Sequence, residues 1–339
     1  MSGPSQQRPS QERPSQERPS QQRPSQERRL VTVGEVLAVL AAPDPGPLAL
    51  GAGLRLGLAG AESNVAVGVS RLGGSATWIG RVGEDELGEL VLRELRAEGV
   101  TTVAVRDPAP TSLLLKERRT STHSRTRYYR THTAGSRLSA EDIPEHIVAS
   151  AAVLHITGIT PALGEGPAQA VTRAVDLAVE AGATVSLDIN FRFLLWNEAD
   201  ARRTLLPLLR RSDLVFAGPH EARLAVPDAD EPEELAQGIC DLGPDGAVIK
   251  LGAEGAYALL DGQEYRQPAV PVQVHDTVGA GDAFAAGYLA ELLAGEPPER
   301  RLRTAALLGA FAVSTTGDWE GLPRRSELGL LDHHDDIVR

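Results

Sequence analysis

Hydrophobic and polar positions along the chain fall into two alternating patterns. Short, nearly continuous apolar runs recur at "LVTVGEVLAVL" (30–40), "ATWIGRVG" (76–83), "AVLHITGI" (152–159), "ATVSLDINF" (183–191), "DLVFAG" (213–218) and "GAVIKLG" (246–252). Runs of this length without polar alternation predict strands covered on both faces, as in a parallel sheet. Between them lie helical periodicities. In "EDELGELVLRELRAEG" (84–99), Leu87, Val91 and Leu95 recur every fourth residue and Gly99 supplies a stop, and "GPAQAVTRAVDLAVEAG" (166–182) repeats the design. Strand, helix, strand in this order predicts a three-layer α/β/α sandwich around a mainly parallel sheet.

Two stretches depart from it. "PLALGAGLRLGL" (47–58) and "TSLLLKERRTSTHSRTRYYR" (111–130) alternate at period two, the second around a charged middle. They predict a small β lid, within about 38–58 and 110–132, standing beyond the carboxyl ends of the strands, where open α/β sheets bind ligands. Residues 5–29 instead repeat a five-residue Ser/Gln/Arg/Pro unit with no aliphatic or aromatic side chain. Residues 1–29 therefore read as a solvated arm with nothing to bury. The folded domain is expected over 30–332, and 333–339 as a polar end whose His333, His334, Asp335 and Asp336 read as hydrophilic rather than chelating.

Composition narrows the function. The formal net charge is −12, and no basic stripe interleaved with aromatics is present, which argues against nucleic acid and for a small metabolite. Cys240 is the single cysteine, so a disulfide within the chain and a cysteine zinc site are excluded. No apolar run approaches the roughly 20 residues of a membrane span, and a cytoplasmic enzyme without membrane partners is expected. His155, inside an apolar run, reads as a core histidine; His123 and His132 fall in the lid.

The segment richest in chemistry is "HDTVGAGDAFAAGYLAELLAG" (275–295), after the strand-like "VPVQVH" (270–275). A glycine turn feeding a helix exposes backbone N–H groups and the positive end of the helix dipole. Gly279 and Gly281 let that backbone close on a phosphate without a Cβ in the way. Asp282 then stands where it can take a proton from a hydroxyl attacking phosphorus, or where it merely caps the helix. The segment matches neither the Gly-Lys-Ser/Thr phosphate loop nor GxGxxG, and the latter's absence after the first strand argues against a nicotinamide dehydrogenase.

"DTVGAGDAF" resembles the C-terminal signature of the ribokinase-like, or PfkB, carbohydrate kinases, and "LAGAESNVAVGVSRLGG" (58–74) is similar to the family's N-terminal segment, with Ala59 in place of a glycine. "RYYR", "GITPAL", "DINFRFLLW" and "GDWEG" are most similar to the 2-keto-3-deoxygluconate kinases within it. The resemblance, over about 30–325, implies ATP-dependent phosphorylation of a sugar acid, giving a 6-phosphate, with Asp282 as base and Gly279, Ala280 and Gly281 as anion hole. It implies sugar contacts from Gly60, Ala61, Glu62, Ser63, Asn64, Tyr128, Arg130, Ile159 and Asp318, with Arg130 suited to a carboxylate. Leu114 stands where that subgroup carries an aromatic residue.

For the nucleotide it implies Asn190, Arg192, Lys250, Gly252, Gly255, Gly279, Gly281 and, near adenine, Ala306. Magnesium is implied as cofactor, with Glu221 associated indirectly because Gly218 replaces the family's asparagine, and a monovalent cation near Asp276. A homodimer or higher homo-oligomer through the lid strands is implied as well. Another sugar kinase of the family, of fructokinase or ribokinase type, and a non-catalytic sugar sensor on the same fold are the alternatives.

Overall fold

The computed structural model describes residues 28–120 and 123–331. Its strands are β1 Arg29–Val33, β2 Leu37–Ala41, β3 Arg55–Ala59, β4 Ser75–Gly83, β5 Thr101–Asp107, β6 Leu113–Arg118, β7 Ser124–Tyr129, β8 Val153–Thr157, β9 Thr184–Asp188, β10 Leu214–Ala217, β11 Gly246–Lys250, β12 Ala256–Leu260 and β13 Gln263–Gln267. Its helices are α1 Ala61–Arg71, α2 Glu86–Ala97, α3 Glu145–Ala149, α4 Glu165–Glu180, α5 Glu198–Leu209, α6 Pro219–Ala222, α7 Pro232–Asp241, α8 Ala280–Ala294 and α9 Pro298–Val313.

The main sheet has the order β13-β12-β11-β10-β9-β8-β1-β4-β5, parallel from β11 to β5 and antiparallel at β12 and β13. Period-two geometry sends alternate side chains into two cores. Leu214 and Phe216 of β10 join α1, α8 and α9 on one face, whereas Val215 and Ala217 join α4, α5 and α7 on the other. Because both faces are covered, the strands read as continuous apolar runs.

A four-stranded lid, β3-β2-β6-β7, is entered from the carboxyl end of β1. Here three sequence expectations change. "LVTVGEVLAVL" is two strands in two sheets: β1 pairs with β4 and β8, and after Gly34–Val36 the chain crosses into β2, which pairs with β3 and β6. Of 47–58, only β3 forms; Leu48, Leu50 and Leu54 are exposed, with no core in reach. "VPVQVH" is not a strand. Pro268 and Pro271 withhold two of the N–H groups a ladder needs.

The helix α8 is apolar on nearly every side and is packed as a buried helix. Close approach is possible because two contact positions are glycine. A Cβ on Gly68 of α1 would lie 2.6 Å from Ala286 of α8, and one on Gly287 of α8 would lie 2.8 Å from the Ala305 Cα of α9. These contacts set the first turns of α1 and α8 side by side. Among the described residues, no helix is long and apolar enough to cross a membrane.

Candidate active site

The first turn of α8 begins at Gly279, whose φ of 73° is left-handed, and a Cβ there would lie 2.6 Å from the Asp318 carbonyl oxygen. Both the conformation and the space demand glycine. Asp282 follows in that turn and is buried. Its Oδ2 accepts from Asn64 Nδ2 at 2.8 Å and its Oδ1 accepts from Asn190 Nδ2 at 3.1 Å. Burial raises its pKa, opposed by the Asn64 hydrogen bond, the charges of Arg192 and Lys250 and the Asn190 hydrogen bond. A carboxylate so held is a stronger base than one in water, yet stays oriented by two donors.

Asn64 Nδ2 also reaches Asp318 Oδ1 at 3.2 Å, so one amide bridges two carboxylates. Its own Oδ1 is buried without a protein partner, an acceptor a ligand hydroxyl could satisfy. Burial pushes Asp318 up to about 7, countered by Asn64 and reinforced by the negative charges of Asp282 and Glu320. Asn190 adopts a left-handed φ of 38°, beyond the end of β9. The turn around it is shaped by Asp188 Oδ1, which accepts from Asn190 N at 3.3 Å, and Glu221 Oε1, which accepts from Phe191 N at 2.9 Å.

Beneath the glycine turn lies Lys250, whose Nζ donates to both oxygens of Asp188, at 2.6 and 2.9 Å. Burial would lower its pKa, but the charges of Asp188, Glu221 and Asp282 outweigh it and raise it. A Cβ on Gly281 would approach that ammonium to 3.2 Å, so the cation lies just under the anion hole. Arg192 is exposed and makes no ion pair with a described residue. A permanent cation, a buried ammonium and the α8 N-terminus thus converge on one spot, suited to a polyphosphate.

On the lid side, Leu114 pairs with Tyr128 in register, which puts the Tyr128 ring on the lid's inner face, where Arg130 stacks over it at 5.2 Å. The Arg130 guanidinium is ion-paired with buried Glu35, whose other oxygen accepts from Ser112 Oγ. Its Nε is buried with no partner.

These features agree with a family. Residues 27–325 match the pfkB family carbohydrate kinase. The chain belongs to the pfkB carbohydrate kinases. It is 37% identical over 304 residues to the 2-dehydro-3-deoxygluconokinase of Thermoproteus tenax, covering 88% of this chain and 92% of that one. It is likewise 37% identical over 303 residues to the 2-dehydro-3-deoxygluconokinase of Bacillus subtilis (strain 168), covering 88% and 93%. A putative ribokinase II from E. coli, solved with ATP and Mg2+, superposes with a TM-score of 0.82 at 25% identity, covering 90% of this chain and 98% of that one. The fold is accordingly ribokinase-like.

Not every expected residue of this pfkB kinase turns toward Asp282. Gly60 caps α1 where a Cβ would lie 2.5 Å from the Glu35 carbonyl, so it serves close approach. Ser63 Oγ turns back to the Gly60 carbonyl at 2.9 Å, and Ala61 is buried. Glu62 points away, its Oε1 accepting from Thr157 and Thr160 hydroxyls at 2.7 and 2.6 Å. The reason is helical: each residue turns 100°, so Glu62, two positions from Asn64, faces nearly the opposite side. Ile159, after β8, is held by its N–H on Thr157 Oγ1 at 3.1 Å. Gly252, at φ 60°, and Gly255, at φ 96°, form a left-handed turn after β11, and Ala306 is buried in α9.

Glu221 spends both oxygens on backbone, Oε2 accepting from Gly218 N at 2.6 Å, which caps α6. Among the described residues no group of three His, Cys, Asp or Glu could hold a metal. The carboxylates around Lys250 are Asp188, Glu221 and Asp282, a donor type that suits magnesium, an ion commonly held by phosphates, waters and one or two carboxylates. His155 is the core histidine expected, buried, with Nδ1 3.0 Å from Ser186 Oγ and its pKa lowered to about 3 by burial and then by Lys250. His333, His334, Asp335 and Asp336 lie outside the described residues. Sequence reading missed Asp188 and Glu35, each a lone acid beside an apolar strand, which is the signal that could have found them.

Burial lifts Glu62 to about 7, the two threonine bonds opposing and the Asp282 charge adding to it. Gly34 leaves the room it needs, since a Cβ at 34 would lie 2.3 Å from the Glu62 carboxyl. The unfolded chain, with Glu62 near 4.5, loses that proton first as pH rises, so stability falls between about pH 4.5 and 7. Glu62→Gln removes the penalty. Denaturant unfolding at pH 5 and pH 8 should show the variant gaining on the wild type at the higher pH by on the order of 3 kcal/mol.

Proposed function

We propose that this kinase transfers the γ-phosphate of ATP to a hydroxyl of a sugar acid, 2-keto-3-deoxygluconate being the substrate, to give the 6-phosphate. The observation that carries the reading is Asp282, buried in the first turn of α8 beside left-handed Gly279 and aimed by Asn64 and Asn190. Asp282 accepts the proton of the attacking hydroxyl as that oxygen bonds the γ-phosphorus and the bond from the γ-phosphorus to the β–γ bridging oxygen breaks, ADP leaving with that oxygen. Gly279, Ala280 and Gly281 present their amides to the transferring phosphoryl group, and Lys250 and Arg192 oppose its charge. Magnesium arriving with ATP would supply neutralising charge at the phosphates, and Glu221, whose oxygens hold the Phe191 and Gly218 amides, would be associated with it only through water. Gly252, Gly255 and Ala306 border the nucleotide, with adenine near Ala306.

The sugar lies between Asn64, Asp318, Ile159 and the lid, with Gly60 and Ala61 shaping the wall. Arg130 offers its free Nε edge to the substrate carboxylate and Tyr128 covers it. A sensor on the same fold has no use for a raised carboxylate at an anion hole, and a fructokinase-like activity would leave that edge of Arg130 unused. Coupled assays on 2-keto-3-deoxygluconate, fructose and ribose test the reading. Arg130→Met should raise KM for the acid by on the order of 10- to 100-fold, a larger factor than for any neutral sugar, since loss of the Glu35 pair at the lid hinge is felt by both. Turnover confined to neutral sugars would overturn the substrate assignment.

We place the kinase domain at 30–332, its first strand reaching back to Arg29, which pairs with Ser75, after a repeat arm that therefore ends short of the 29 expected from composition, in a reducing cytoplasm. A homodimer belongs to the reading: Leu56 and Tyr129 are exposed on the lid's outer face, and β3 and β7 are its free edges. So does a monovalent cation near Asp276. Light scattering, and turnover in potassium against tetramethylammonium chloride, check these two.

A further inference from the structure

The chain contains two lysines. Lys250 lies under the glycine turn; Lys116 stands at the free end of the lid. In β6, Leu114 points to the lid's inner face, where Leu37, Val39 and Ala59 bury it. Period two puts Lys116 on the same face, one step further from the hinge. There its ammonium leaves the lid and donates to Asp276 Oδ2 at 2.6 Å. Side-chain exposures of 24% and 18% make this a half-buried pair, open to water on one side.

Asp276 belongs to the loop that becomes the glycine turn. Its Oδ1 accepts from Val278 N at 3.2 Å, and the His275 and Asp276 N–H groups both donate to the Val313 carbonyl at the end of α9. The carboxylate is thus fixed to the body and shapes the two residues before Gly279. At its hinge end the lid is tied to the body by Arg130 and Glu35; at its far end the tie is Lys116 on Asp276.

We propose that Lys116 is a positioning residue, which draws the free end of the lid onto the Asp276 loop so that closing over the sugar and fixing the aim of the 279–281 amides are one event. A pair reached by solvent can break and re-form as sugar enters and product leaves. The consequence for the reaction, though not the pair itself, rests on the sugar-kinase reading above.

The test uses the full chain with Lys116→Met, Asp276→Asn, the double variant and Lys116→Arg. Lys116→Met is expected to lower kcat on the order of 10- to 100-fold, the scale of a small misplacement of reacting groups. ATP hydrolysed per sugar phosphorylated should rise, because an open lid admits water. The double variant should be no worse than the poorer single one, and Lys116→Arg should recover most of the rate. Without ligand, amide hydrogen exchange in β6 and β7 should quicken in Lys116→Met. Additive losses in the double variant, or a kcat and exchange that do not change, would overturn the proposal. Should Lys116→Met not fold, Asp276→Asn reads the same exchange from the other partner. Quickened exchange in a protein with no sugar-kinase activity would retain the pair and sink the reading of the site instead.

Discussion

Asp282→Asn is expected to reduce kcat by 10²- to 10⁴-fold, the usual contribution of a positioned general base, while the protein stays folded. The exchange is nearly isosteric. One oxygen survives to accept from Asn64 or Asn190, and the new amide faces the other donor, a local mismatch and not a cavity. Because burial raises the pKa of Asp282, its ionised form weakens the fold at neutral pH. The variant should therefore unfold at the same or a higher temperature at pH 8, while its KM for ATP changes little. Steady-state kinetics beside thermal unfolding separate the two effects; undiminished turnover would remove Asp282 from the chemistry.

Nearly as large an effect is expected at Gly279. With φ at 73°, any other L-residue meets a cost of about 1–2 kcal/mol, and its Cβ would press on the Asp318 backbone at 2.6 Å. Relief comes only by moving the turn or the 317–319 segment, and either shift misdirects the amides and Asp318 together. Gly279→Ala should lower kcat/KM about 100-fold. Gly281→Ala supplies the contrast: its backbone is ordinary, and its new methyl would meet only the flexible end of Lys250 at 3.2 Å. A milder loss there, measured side by side, distinguishes backbone geometry from bulk near the phosphate.

How much of this the sequence disclosed follows from the range of each interaction. Six strands of the main sheet, β1, β4 and β8 to β11, were legible because both their faces are covered, and α2 and α4 because one face is; β5, β12 and β13, toward the two edges of the sheet, were not. The glycine turn and Asp282 were legible because they are four consecutive residues, 279–282. The crossing within 30–40 was not, since apolar residues on both sides of Glu35 are buried, in different sheets. "VPVQVH" alternates as a strand would, and only its prolines betray it. Lys116 and Asp276 are 160 residues apart, Lys250 and Asp188 62; no periodicity links such partners. Glu62 was misdirected by adjacency: neighbours of Asn64 in the chain were given its destination, though a helix sends them round to other sides.

Gly34 and Glu62 share a single volume, for a methyl at the first position would sit 2.3 Å from the acid of the second. The two sites cannot drift independently. In any descendant chain that acquires a side chain at 34, the Glu62 carboxyl must swing aside or be lost in the same lineage, and Thr157 and Thr160 must then find another acceptor. A co-occurring change at those four positions, absent from chains that keep the glycine, is the evolutionary trace that this crowding should leave.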